Sequence, residues 1–141
     1  MRLVVVDTNV LVAGLITNDA QSPTASILNE VLDGGLLFLL SPALLAEYRE
    51  VLLRPKLAAL HALTESEIDQ LLTEITVNAL WREPALKGNA PDPGDDHLWA
   101  LLDCEPNAIL VTGDQCLLRD PHEKAAVVSP AAFYKIDPPV P

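Results

Sequence analysis

Leu3-Val4-Val5-Val6-Asp7-Thr8-Asn9 decides how the rest of the chain is read. Four consecutive apolar residues with no polar alternation form the pattern of a strand buried on both faces of a parallel sheet. The run stops at a carboxylate, so Asp7 stands at the lip of that sheet, where open α/β sheets bind their ligands. Thr8 or Asn9 is expected to cap a helix running through Leu15. For an isolated Asp the plainer reading is a turn between strand and helix. Three more acids at equivalent places shift that balance.

Outward from this stretch, helix and strand signals alternate. Ser22-Pro23 opens a second helix with Ser as cap and Pro at the first helical position. Ile27, Leu28, Val31 and Leu32 form its apolar stripe, and Gly34-Gly35 ends it. Leu36 to Leu40 is a second buried strand. Ser41-Pro42 repeats the cap signal for a third helix, which reaches about Arg54 and is stopped by Pro55. Thr64-Glu65-Ser66-Glu67 is a capping box leading a helix with Ile68, Leu71, Leu72, Ile75 and Ala79 on one face. Trp81 to Glu83 reads as a short edge strand and Gly88 to Gly94 as a loop. A helix follows over Asp95 to Cys104, and then a strand over Ala108 to Thr112 that leads into Gly113-Asp114. Ala126 to Val128 is the last strand, and Ser129-Pro130 caps a final short helix. The alternation predicts a three-layer α/β/α sandwich around a small, mostly parallel central sheet. Residues 1–136 make one domain, and 137–141 are a Pro-rich tail.

Composition narrows the function classes. A chain of 141 residues, half of them apolar, supports one globular core. No apolar run reaches the roughly 18 residues of a membrane span, and strand begins too early to leave room for a signal peptide. Cys104 and Cys116 form no framework, so a reducing, cytoplasmic location is expected. Aromatic residues are few, which disfavours a base-stacking surface of the single-strand-binding kind. Nine basic residues against twenty acidic ones leave a net charge of −11. That balance resists nucleic acid, whose nonspecific affinity comes from Lys and Arg. It does not exclude it where acids are metal ligands neutralised by cations.

Two strands end at Asp7 and Asp114, and helical geometry adds two further acids. At about 100° per residue, Glu47 falls at the edge of the stripe Leu44, Leu45, Tyr48, Val51 and Leu52, whereas Glu50 points away. Asp95 shares the side of Leu98, Leu101 and Leu102, whereas Asp96 turns from it. Taken singly, Asp95 is an ordinary helix cap and Glu47 a surface charge at a stripe edge. Four carboxylates at one end of a sheet repel each other unless a positive charge sits among them. Hard divalent cations with oxygen ligands are the usual solution, and a pair of such ions can activate water against a phosphodiester. The pattern points to metal-dependent phosphoryl hydrolysis more than to acid–base work on a sugar.

Four segments taken together resemble the PIN domain family. They are Val-Val-Asp-Thr-Asn-Val-Leu-Val from Val5, the Ser-Pro-Ala-Leu-Leu-Ala-Glu-Tyr-Arg-Glu run from Ser41, Asp-Pro-Gly-Asp-Asp-His-Leu from Asp92, and Val-Thr-Gly-Asp-Gln-Cys-Leu-Leu from Val111. They come in the family's order and span Leu3 to about Pro130. The likeness is greatest to the bacterial VapC-like branch, the toxins of VapBC-type toxin–antitoxin pairs. It implies an endoribonuclease using Mg²⁺ or Mn²⁺ held by Asp7, Glu47, Asp95 and Asp114. It implies that Thr8, Asn9 and Thr112 position ligands or phosphate. It implies an RNA substrate, a cognate antitoxin and a homodimer.

Departures bear on the site. The family pattern carries a single Asp where this chain has Asp95-Asp96, with Asp92 three residues before, so the assignment there stays open between them. Helix phase and the spacing to Asp114 favour Asp95. Asp103-Cys104-Glu105-Pro106-Asn107 replaces a small Gly-containing turn. His61 and His122 read as solvent-facing, His97 as a surface residue beside the acids, and both cysteines as small core residues. Arg49, Arg54 and Lys56 form a solvated face at a helix C-terminus that could also steer phosphates. The alternative to an RNA-cutting enzyme is a catalytically weak PIN-like module that binds protein or RNA. A nuclease acting on DNA flaps fits less well, because the chain lacks basic helical insertions.

Overall fold

Val4, Val5 and Val6 are buried to within 2% of completely, and the strand they form lies in the middle of a five-stranded sheet. The structure is a computed structural model describing residues 3–86 and 88–136. In chain order its elements are β1 (Leu3–Val6), α1 (Thr8–Ile16), α2 (Pro23–Asp33), β2 (Leu37–Leu40), α3 (Pro42–Leu52), α4 (Pro55–His61) and α5 (Glu65–Asn78). They continue with β3 (Leu80–Trp81), α6 (Asp96–Cys104), β4 (Ile109–Val111), α7 (Gln115–Arg119), β5 (Ala126–Val128) and α8 (Pro130–Ile136). The sheet order is β3-β2-β1-β4-β5, and every pairing is parallel. The sheet is therefore wholly parallel rather than mostly so, and its short edge strand is Leu80–Trp81 rather than Trp81 to Glu83. The architecture is a PIN-like α/β sandwich.

This order explains where a site can form. Chain order runs from β1 outward through β2 to β3, then returns to β4 on the other side of β1. β1 and β4 are thus neighbours whose following segments leave in opposite directions, which opens a crevice at their carboxyl ends. Register pins the two strands together, with Val5 opposite Leu110 and Val6 opposite Val111. The helices between β1 and β3 pack on one another, α1 on α2 and α3, and α5 on α2 and α3.

Local chemistry accounts for most element ends. Ser22 Oγ accepts from Ala25 N, Ser41 Oγ from Leu44 N, and Thr64 and Glu67 exchange both capping-box bonds. Gly34 closes α2 with φ of 80°, a left-handed conformation that glycine adopts without steric cost. Gly14 has a different reason: a Cβ there would stand 2.6 Å from the Thr24 carbonyl oxygen, so only glycine lets α1 lie this close to α2.

Several expectations are corrected. The cap of α1 is Asp7 itself, whose Oδ1 accepts from Thr8 N at 2.8 Å, because the strand ends at Val6 and Asp caps as well as Thr or Asn. Pro55 does stop α3, yet it also occupies the first position of α4, a role its fixed φ suits equally. The short helix α7 follows Asp114, which accepts from Cys116 N at 2.8 Å. Cys104 and Cys116 are exposed rather than in the core. His122 is buried, pairing with Asp103 at 2.7 Å and accepting from two backbone N–H groups. His61 is half-buried, with Nε2 2.8 Å from the Leu52 carbonyl oxygen. A ring that can bond from both nitrogens satisfies backbone groups at chain turns, so polarity alone does not place it in water. The tail 137–141 lies outside the described residues.

Tyr48 ties α3 to the sheet. It is buried, and its hydroxyl donates to the Val6 carbonyl immediately before Asp7. Tyr48→Phe keeps the ring and leaves that bond unmade, so chemical denaturation should show a loss of about 1 kcal/mol. An unchanged midpoint would mean that this bond does not anchor the helix.

Candidate functional site

Asp7 is only 5% exposed. Its Oδ1 accepts from Thr8 N, and its Oδ2 accepts from the Thr112 hydroxyl at 2.7 Å and from Asn9 Nδ2 at 3.2 Å. Thr112 is fully buried, and the same hydroxyl accepts from Asp114 N at 3.0 Å. Asn9 Oδ1 in turn accepts from Gly113 N at 2.9 Å. The ends of β1 and β4 are therefore laced together by side chains. Thr112 works inside this lacing, whereas Asn9 sits at the exposed rim.

Asp7, Glu47, Asp95 and Asp114 line one cavity of about 430 Å³ at the carboxyl lip of the sheet. Thr8 and Asn9 line it too, as do Val12, Ile16, Val51 and Leu57 on its apolar side. Asp96 turns away and accepts from Ala90 N at 3.1 Å. Asp92 is exposed and accepts from Gly94 N at 2.8 Å, starting the tight turn Pro93–Asp95 that carries the chain into α6. Asp95 makes no capping bond with its side chain, so its carboxylate is free to turn toward the cavity. Glu50 pairs with Arg54 on the surface, 3.1 Å apart.

Charge crowding is recorded in the acids themselves. Burial is the main cause raising the Asp7 pKa, opposed by the Thr112 and Thr8 hydrogen bonds and reinforced by Glu47 and Asp114. Asp95 is pushed up to about 6, first by burial, then by the charges of Asp7, Asp114, Asp92 and Glu47. Glu47 moves the other way. His97 Nε2 stands 2.9 Å from Glu47 Oε2, and this contact is the leading cause holding Glu47 below the usual carboxylate range, ahead of the opposing cost of burial.

The residues fit a hard divalent cation in chemistry. The donors are carboxylate oxygens, the preferred ligands of Mg²⁺ and Mn²⁺. Thr8 Oγ1, Glu47 Oε2 and His97 Nδ1 are buried here with no hydrogen bond of good geometry. In their present rotamers the acids surround a cavity rather than a point. Among the described residues, no three His, Cys, Asp or Glu side chains are gathered closely enough to hold an ion.

Two contributors lie outside the expected set. His97, read from sequence as a surface residue, is nearly buried against Glu47, with 12% of its side chain exposed. Its place one turn before Leu101 was the available signal. Of the basic group, Arg54 is on the cavity wall, while Arg49 is committed to Glu65 and Asp69 at 2.7 and 2.8 Å. Leu57 comes from α4, so the helix hidden behind Pro55 supplies part of the wall.

Asp95 has a testable energetic signature. Its folded-state pKa of about 6 exceeds the ordinary 3.8. Between those values the folded protein binds more protons than the unfolded chain, so this group's contribution to stability falls as pH rises through the window. Asp95→Asn removes the ionised form. Without divalent cations, the variant should melt above the parent protein at neutral pH, and the gap should narrow as pH falls to about 4. Thermal melts across that range check it, and a variant less stable at neutral pH contradicts it.

A family model for the PIN domain matches residues 3–116, and no curated protein sequence matches the chain. Among the described residues no helix is long and apolar enough to cross a membrane. PIN domains are generally nucleases and typically bind divalent metals. With that match covering most of its length and a five-stranded parallel sheet to go with it, the chain belongs to the PIN domain family.

Proposed function

We propose that the chain is a metal-dependent endoribonuclease that hydrolyses RNA phosphodiester bonds and serves as the VapC-like toxin of a type II toxin–antitoxin pair. The observation that carries this reading is the meeting of four acids from four separate segments in one cavity at the β1–β4 crevice. Asp7, Asp95 and Asp114 would hold Mg²⁺ or Mn²⁺, with Glu47 completing the oxygen set. When bound, such a cation polarises the phosphoryl group and makes water acidic enough to supply the nucleophile. Asp7 is held rigid for its part by Thr112 and the Thr8 N–H. Arg54 brings a positive charge to the wall, where an RNA phosphate can be neutralised. Val12, Ile16, Val51 and Leu57 keep one side dry.

The cognate antitoxin, the homodimer and a cytoplasmic location belong to the same proposal. The exposed, unpaired Cys104 and Cys116 favour a reducing compartment. One observation favours a second reading, a catalytically weak module that binds protein or RNA: as placed, the acids do not close on a single point.

Cleavage of a labelled RNA with Mn²⁺ decides between them. Asp95→Asn should lower the rate by on the order of a hundredfold or more, as expected for loss of a group acting on transition-state charge. Asp96→Asn should retain most activity, because Asn can still accept from Ala90 N. Glu74→Gln, exposed on α5 and outside the cavity lining, serves as surface control. Adding the protein encoded by the adjacent reading frame should suppress cleavage, and light scattering of the chain by itself should give a dimer. No cleavage by the parent protein supports the weak module. A dead Asp96→Asn beside a live Asp95→Asn moves the site by one residue.

A further inference from the structure

Next to the acidic cavity lies a second one of about 300 Å³, which the cleavage chemistry leaves unused. Its walls include Pro42 and Ala43 after β2, Glu83, Pro84 and Leu86 after β3, and His97 on α6. It therefore opens at the same carboxyl lip, over β2 and β3, while the acids stand over β1 and β4. His97 connects them: it lines this second cavity, and its Nε2 lies 2.9 Å from Oε2 of Glu47, which lines the first. A chain whose phosphate sits among the acids has its neighbouring nucleotide within reach of this space.

The chemistry of the walls selects what can enter. A volume of about 300 Å³ is at the small end of ligand pockets, enough for one nucleoside and too little for a helix or a folded loop. Pro42, Pro84 and Leu86 offer apolar surface to a flat base, and Leu86 is 65% exposed with nothing yet laid over it among the described residues. Glu83 disfavours a phosphate there, as does the net charge of −11. Its carboxylate is fixed by Trp81, whose Nε1–H donates to Oε1 at 3.0 Å. An ionised carboxylate only accepts hydrogen bonds, and it can accept two side by side. Among the four bases, guanine alone presents two adjacent donors on one edge, N1–H and the N2 amine. Adenine and cytosine present a single amine, and the uracil N–H lies between two carbonyls that a carboxylate repels.

We propose that this cavity is a nucleobase subsite beside the scissile phosphate, taking guanine of a single-stranded RNA, with Glu83 as the residue that selects it. Unpaired bases splayed from an RNA strand are read in this way, by apolar contact on their faces and hydrogen bonds on their Watson–Crick edges. The assignment rests on the ribonuclease reading for its biological use, and its binding test does not depend on turnover.

The Trp81 indole N–H is the reporter, because it bonds directly to Glu83. Uniformly ¹⁵N-labelled protein is titrated with millimolar guanosine, adenosine, cytidine or uridine, with EDTA present, and the Trp81 signal is identified by its absence in Trp81→Phe. Guanosine should move the Trp81 signal and leave that of the buried Trp99 in place, with about tenfold weaker binding of the other nucleosides. Glu83→Gln, an exposed position that tolerates change, should erase that preference, and Leu86→Ser should weaken binding of all four. A Trp81 signal unmoved by every nucleoside, or a guanosine preference that survives Glu83→Gln, overturns the subsite. Guanosine binding in a protein that cuts no RNA leaves the subsite standing and defeats the ribonuclease reading. Cleavage without guanosine binding does the reverse.

Discussion

The hydrogen bond from the Thr112 hydroxyl to Asp7 is the interaction on which the site depends. It joins residues 105 positions apart, and it does so where the strand order reverses between β1 and β4. A buried carboxylate without donors is costly, so Asp7 can sit this deep only because Thr112, Asn9 and the Thr8 N–H supply them. The same hydroxyl accepts from Asp114 N, so the position of one acid is coupled to that of the next. Tyr48 adds the third connection by bonding the residue before Asp7, which brings Glu47 on α3 to the same crevice. The placement of Asp7, Glu47 and Asp114 is thus a property of the sheet's ends, whereas Asp95 is carried in by the turn before α6.

The fold and its electrostatics pull against each other here. Burial raises both Asp7 and Asp95, and neighbouring carboxylates raise each further, so the cation-free pocket carries ionised groups at a cost. His97 relieves this at Glu47 alone. Proteins keep such unfavourable arrangements mainly where function requires them. On the proposed reading, a divalent cation bound there would relieve the repulsion among the remaining acids.

Much of this was legible in the sequence because strong local signals happened to coincide with the fold. The unbroken Leu3–Val6 run marked the central strand, and Ser22-Pro23, Ser41-Pro42 and the Thr64–Glu67 box marked helix starts whose caps are indeed formed. Helix phase was enough to separate Glu47 from Glu50 and Asp95 from Asp96 in direction. What was hidden depended on long-range contacts or on residues with two uses. Pro55 ends one helix and begins another, and sequence displays only one of those roles at a time. His122 and His97 look like surface residues until Asp103 and Glu47, distant in sequence, come beside them. Cys104 and Cys116 look like core residues, yet each falls on the outward side of its helix.

The central claim is that these acids are arranged for a divalent cation. It is tested most directly by titration calorimetry of Mn²⁺ into the cation-free protein in buffers of different ionisation enthalpy. Near pH 6, where Asp95 is part-protonated and Asp7 is raised, binding should be saturable and should release protons. The release should fade toward about pH 8, and Asp7→Asn should abolish most of the binding. Absence of saturable binding, or binding that Asp7→Asn leaves intact, would contradict the account.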